Sequence, residues 1–138
     1  MVGKAARKLI ENIPRPFRRI RTAHDDKAKH MLALMSRPQY RRDHGTVLVQ
    51  GLKTIQELRK QNVEVQTVIA TAKTELQDIE VETHDPAKKI LRNPDLIPAK
   101  NYYVTDVNLT RRILGTSSRP NAHEIYAEVK VPRMKEST

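Results

Sequence analysis

The chain has 138 residues, a formal net charge of +10 and no cysteine. Its length suits one domain with a modest core, and the missing cysteines exclude disulfides and thiolate metal sites. No apolar run reaches the roughly 18 residues of a membrane-spanning helix, and the five histidines (24, 30, 44, 84 and 123) lack zinc-ligand spacing on any one helix face.

Charge is concentrated at the front. Residues 1–45 hold twelve Lys/Arg against four Asp/Glu, whereas residues 46–138 hold fourteen against twelve. A cationic front on a nearly neutral body fits a nucleic-acid-binding arm or an organelle-targeting segment. Residues 1–22 carry seven basic residues and one acid, Glu11, and Pro14 and Pro16 interrupt any helix there. An Arg-rich, acid-poor segment describes a transit peptide as well as an RNA-binding arm. The two readings imply the mitochondrial matrix or the cytoplasm, and both stay open.

In chain order, HDDKAKHMLALMS (24–36) reads as a helix. Asp25 or Thr22 caps it, Ala28, Met31, Leu32 and Met35 form its apolar stripe, and Pro38 ends it. TVLVQ (46–50) is a short apolar run of the kind found in a buried strand. Gly51 opens a second helix with Leu52, Ile55 and Leu58 on one side. VEVQTVIAT (63–71) is a second strand, and DIEVET (78–83) reads as a short third one. PAKKILR (86–92) begins with the helix-starting pair Asp85-Pro86. NYYVT (101–105) is strand-like, Asp106 caps VNLTRRIL, and Gly115 stops it. In HEIYAEVKV (123–131), Ile125, Ala127, Val129 and Val131 alternate with Glu124, Tyr126, Glu128 and Lys130. That alternation predicts a strand with one wet face, at a sheet edge or an open face. PRMKEST (132–138) reads as a polar tail or linker. Strands interleaved with helices imply a mixed sheet covered by helices.

Catalytic signatures are absent from the sequence. Four glycines, at 3, 45, 51 and 115, supply no phosphate-cradling loop, no serine sits in a nucleophile elbow, and the acids at 78, 80, 82 and 85 read as a solvated face. Two polar constellations remain. Arg37, Arg41, Arg42 and His44 precede the 46–50 strand, and Lys53 follows it. Guanidinium groups grip phosphate through paired donors and Lys adds a point charge, while Gly45 and Gly51 let a ligand approach the backbone. The second is GTSSRPNAHE (115–124), where Ser117, Ser118, Arg119 and Asn121 offer contacts to phosphate, 2′-hydroxyl and base edges. Aromatics are few, which argues against extensive base stacking.

The order of RPQYRRDHGTVLVQG-LK, VEVQTVIAT and YYVTD-VNLTRRILGTSSRPNAHEIYAEVKVP resembles the N-terminal substrate-binding domain of SpoU/TrmH-type RNA 2′-O-ribose methyltransferases. The resemblance spans roughly residues 25–132. It implies a three-layer α/β/α sandwich with a small mixed sheet, like ribosomal and kink-turn-binding proteins; charge and composition set residues 1–24 apart as a basic arm or targeting segment and 133–138 as a polar tail or linker. It also implies recognition of structured RNA, ribosomal or transfer. Gln50 stands where the family usually has Glu, and Asn121-Ala122 where a Gln-Gly pair is usual. Gly51-Leu52-Lys53 replaces the Asn-Glu pair of kink-turn binders, which argues against that activity. The family's three S-adenosylmethionine motifs are not found before Thr138. No cofactor is therefore expected in this chain, and S-adenosylmethionine only if a catalytic domain follows. The expected role is an RNA-binding domain without its own chemistry. The alternative is a structural or assembly subunit of a ribosome, the mitochondrial one included, with ribosomal proteins as partners.

Overall fold

The computed structural model describes residues 16–71, 86–115 and 124–131. In chain order these form β1 (Arg18–Arg19), α1 (Asp26–Ser36), α2 (Pro38–His44), β2 (Thr46–Gln50), α3 (Leu52–Lys60) and β3 (Val65–Thr71). There follow α4 (Pro86–Arg92), a 3-10 turn (Pro94–Leu96), β4 (Asn101–Thr105), α5 (Val107–Leu114) and β5 (Ile125–Lys130). One mixed sheet has the order β1-β4-β3-β5-β2. The β1–β4 and β4–β3 pairs are parallel, and β5 runs antiparallel to both β3 and β2.

Helices cover both faces, which makes the α/β/α sandwich. On one face Val47, Val49, Val68, Ala70, Val104, Ile125, Ala127 and Val129 meet Ile55 of α3 and Ala87, Ile90 and Leu91 of α4. On the other, Leu48, Ile69, Tyr103 and Tyr126 meet Ala28 and Met31 of α1 and Leu109, Ile113 and Leu114 of α5. Phe17 joins the first core and Ile20 the second, so residues assigned to the basic arm are packed into the body.

Three expectations need correcting. Pro38 does not merely end a helix: it opens α2 at the first helical position, where its missing N–H costs nothing. The Arg-rich turn is therefore a helix, and Gly45 closes it at φ +68, a left-handed conformation that glycine adopts freely. The third correction concerns β5. Its predicted alternation of faces is present, but the strand lies between β3 and β2, and Glu124, Tyr126 and Glu128 are buried. The second face is not wet, because α1 and α5 cover it. Asp25 caps α1 through the Lys27 amide, and Asp106 caps α5 through the Leu109 amide, as their sequence positions implied. The 78–83 strand, the 116–123 loop, residues 1–15 and the tail from 132 lie outside the described residues.

Candidate nucleic-acid interface

Strand direction decides which charges meet. β2 begins at Thr46 opposite Lys130 and ends at Gln50 opposite Tyr126. Its start and its finish are therefore at opposite ends of the sheet, roughly 14 Å apart for four steps of a strand. His44 and Gly45 belong to the starting end, where the Val131 amide donates to the Gly45 carbonyl at 2.9 Å. Lys53 belongs to the finishing end, just past Gly51, whose amide donates to the Ile125 carbonyl at 2.8 Å. Glu124, where the 116–123 segment rejoins the sheet, is at that finishing end too: its carbonyl accepts from the Thr71 amide at 2.9 Å. The arginine group and Lys53 are thus not brought together. Ser117, Ser118, Arg119 and Asn121 fall outside the described residues.

Within the arginine group the roles divide. Arg41 is half-buried, and its guanidinium donates to the carbonyls of Leu34 (2.6 Å) and Met35 (3.2 Å) at the end of α1. Those carbonyls lie in the last turn, where helical partners run out, so Arg41 ties α1 to α2. Arg42 is exposed, with Nη2 donating to the Gln39 side-chain oxygen at 2.8 Å. Arg37, also exposed, is the shared cap between α1 and α2. His44 lies flat against Tyr40, ring centroids 4.0 Å apart.

The end of the sheet that holds His44 and Gly45 carries further cations that sequence reading passed over. Lys100 precedes β4 and Lys130 closes β5, and Glu64, just before β3, reaches both, at 3.2 and 3.5 Å. The hydrogen bond from Lys100, with the Lys100 and Lys130 charges, holds the Glu64 carboxyl below the usual carboxylate range. Arg18 of β1 shares a surface cavity with Lys100 and Asn101. Arg18, Lys100 and Lys130 therefore line one rim, with Glu64 between the two lysines, and Arg42 lies in the last turn of α2, which ends at Gly45 beside Val131. Five strands span roughly 19 Å at the usual inter-strand spacing. Lys100 and Lys130 are strand-terminal in the sequence, which is the signal that was available. Which strand ends coincide depended on the antiparallel β5.

Beneath α1 lies a second polar group. His30 Nε2 contacts Glu128 Oε2 at 2.9 Å, and its Nδ1 contacts the Tyr40 hydroxyl at 2.8 Å. Thr46 and Thr67 hydroxyls donate to the same carboxylate, at 2.8 and 3.4 Å. Burial pushes the Glu128 carboxyl up, but the hydrogen bonds from His30 and Thr46 and the charges of His30 and Lys27 outweigh it and hold it low. At the opposite end of the same face Thr71, Thr110, Thr105 and Tyr126 form an unbroken hydroxyl chain with links of 2.8, 2.8 and 2.9 Å. Burial drives the Tyr126 phenol far above its ordinary value. These groups are enclosed and serve packing. Gln50 donates to the buried Glu124 carboxylate at 3.3 Å. A Glu at position 50, usual in the resembled family, would set two carboxylates against each other there.

No protein-family model matches the chain, and no curated protein matches it. Solved structures do. It is similar to the SpoU methyltransferase AviRb from Streptomyces viridochromogenes, solved with AdoMet, at 19% identity and a TM-score of 0.56, covering 79% of this chain and 36% of that one. An RNA 2′-O ribose methyltransferase aligns at 14% identity and a TM-score of 0.58, over 88% of this chain and 41% of the other. An rRNA methyltransferase from Sinorhizobium meliloti aligns at 15% identity and 0.52, over 83% and 37%. At these identities the likeness establishes the fold. The chain spans about two-fifths or less of each of those proteins.

Proposed function

We propose that this chain is an RNA-binding module whose cationic rim grips the sugar–phosphate backbone of a structured RNA, ribosomal or transfer, as a substrate-recognition domain does for a ribose methyltransferase. The observation that carries the reading is the rim of Arg18, Lys100 and Lys130, with the exposed Arg42 in the adjoining last turn of α2. Backbone contacts of this kind position a nucleic acid without reading its sequence. The fold shared with enzymes named as RNA and rRNA methyltransferases supports it. S-adenosylmethionine is assigned to no residue here; methyl transfer belongs to a catalytic domain, where one accompanies this module. His44 adjoins the rim at the end of α2, Arg37 would add a contact from the start of that helix, and Lys53 with Ser117, Ser118, Arg119 and Asn121 would form a separate contact, since Lys53 lies at the other end of the sheet.

Filter binding of structured rRNA fragments across a salt series tests this. About four phosphate contacts give a log–log slope of roughly −3 to −4. The double variant Arg42→Ala with Lys130→Ala weakens binding to all RNAs alike. On duplex it also flattens the slope by about 0.9 for each phosphate no longer neutralised. Arg41→Ala instead lowers stability by about 1.5–3 kcal/mol, because two charge-assisted bonds to the end of α1 disappear. A wild-type affinity indifferent to salt overturns the proposal. The front-loaded charge of residues 1–45 favours a second reading, a structural or assembly subunit threaded into a ribosome, the mitochondrial one included. Co-sedimentation with ribosomal particles at high salt distinguishes it.

A further inference from the structure

At the β1 end of the rim a cavity of about 240 Å³ is lined by Pro16, Arg18, Lys100, Asn101, Tyr102 and Tyr103. Its chemistry differs from the rest of the rim. Arg18 and Tyr103 are register partners on β1 and β4 and share a face. The Tyr103 ring holds the Lys27 ammonium 5.6 Å from its centroid. Tyr102, the next residue along β4, points to the opposite face and anchors the strand there: its hydroxyl accepts from the Ala99 amide and reaches the Ile97 carbonyl, both at 2.9 Å, and its ring packs edge-on against Phe17 at 5.2 Å. Three groups at the cavity remain without a hydrogen-bond partner among the described residues: the Arg18 guanidinium, the Asn101 amide and the Tyr103 hydroxyl. Arg18 and Asn101 are both exposed.

We infer that this cavity takes a single unpaired nucleotide of the bound RNA. The inference rests on the rim reading above and names the RNA feature that the rim would select. The volume falls below the roughly 300–1,000 Å³ that encloses a drug-sized ligand, which suits one base rather than a whole nucleotide cofactor. No acidic side chain lines it; Lys100 already meets Glu64 at 3.2 Å, so Arg18 is the main cation an anion finds there. Paired donors on Arg18 and the Lys100 charge hold the phosphate. Tyr103, on the same face of β4 as Asn101, and Pro16 offer apolar surface to the base, and base–aromatic contact tolerates any base. The Asn101 amide, with donor and acceptor, meets a Watson–Crick edge that only an unpaired base exposes.

The test compares two RNA hairpins of equal stem length, one fully paired and one with a single-nucleotide bulge, against the full chain. The bulged hairpin binds about fivefold or more tightly, the lower bound of what stacking one base contributes. Asn101→Ala and Tyr103→Phe each cut that preference to less than half, with thermal melting reporting that the fold survives. A 4-thiouridine at the bulge, irradiated and mapped by mass spectrometry, gives an adduct on Tyr102, Tyr103 or a neighbouring residue of β1 or β4. Equal affinity for the two hairpins, or an adduct confined to other elements, overturns the pocket and leaves the rim standing. Salt-sensitive binding of neither hairpin overturns both.

Discussion

The two faces of the sheet solve the same packing problem with different chemistry. Under α3 and α4 the sheet presents Val, Ala and Ile, and trimming one of the larger side chains there opens a cavity without stranding a polar partner. Under α1 and α5 it presents Glu128, Thr46, Thr67, Thr71, Thr105 and Tyr126 among a few large apolar side chains. There each polar atom is satisfied by a named partner, and deleting one strands another. The apolar face is held by area and volume, which are non-directional. The polar face is held by geometry, so it also fixes where α1 sits.

This difference is open to direct attack. The largest effect is expected at Glu128→Ala, which strands His30, Thr46 and Thr67 beneath α1. Breaking a buried pair costs about 3–5 kcal/mol, measured by urea denaturation at neutral pH. The same carboxylate gives the pH signature. Its folded-state value lies below the ordinary 4.5, so its contribution is fully present above that pH and is lost as pH falls through the folded value. Glu128→Gln should therefore show a shallower acid loss than wild type. A parallel acid limb in both would show that the carboxylate is not what holds α1.

On the other face, Ile55→Ala removes a fully buried side chain of α3 and is expected to cost about 2–5 kcal/mol, with no change in the acid limb. Joint loss of stability and pH response in that variant would erase the distinction between the faces. The smallest effect is Tyr126→Phe, which removes the last hydroxyl from the Thr71–Thr110–Thr105 chain while keeping the ring. A single neutral hydrogen bond is worth about 1 kcal/mol, and denaturation midpoints resolve it.

Much of the fold was legible. Helix caps at Asp25 and Asp106, the 46–50 and 101–105 strands, and the α/β alternation all rest on local chemistry that a sequence displays. Two features were not. The helix Pro38–His44 carries no buried residue, so no apolar period announced it. β1 is two residues long and owes its place to pairing with β4 and to the burial of Phe17 and Ile20. The arginines before β2 were visible as a charge cluster, but nothing local separates Arg41, which ties two helices together, from Arg42, which faces solvent. Lys100 and Lys130 lie thirty positions apart, and the rim they share exists only because β5 returns antiparallel.

Sequence alone settled the lopsided charge, the lack of thiol chemistry and the alternation of strands with helices, since each depends on composition or short-range periodicity. The tertiary structure decided which alternating face of β5 would be covered and which strand ends would meet. Periodicity assigns a side chain to a side of the sheet; only the packing of α1 and α5, and the direction of each strand, determines whether that side meets water, a partner or another charge.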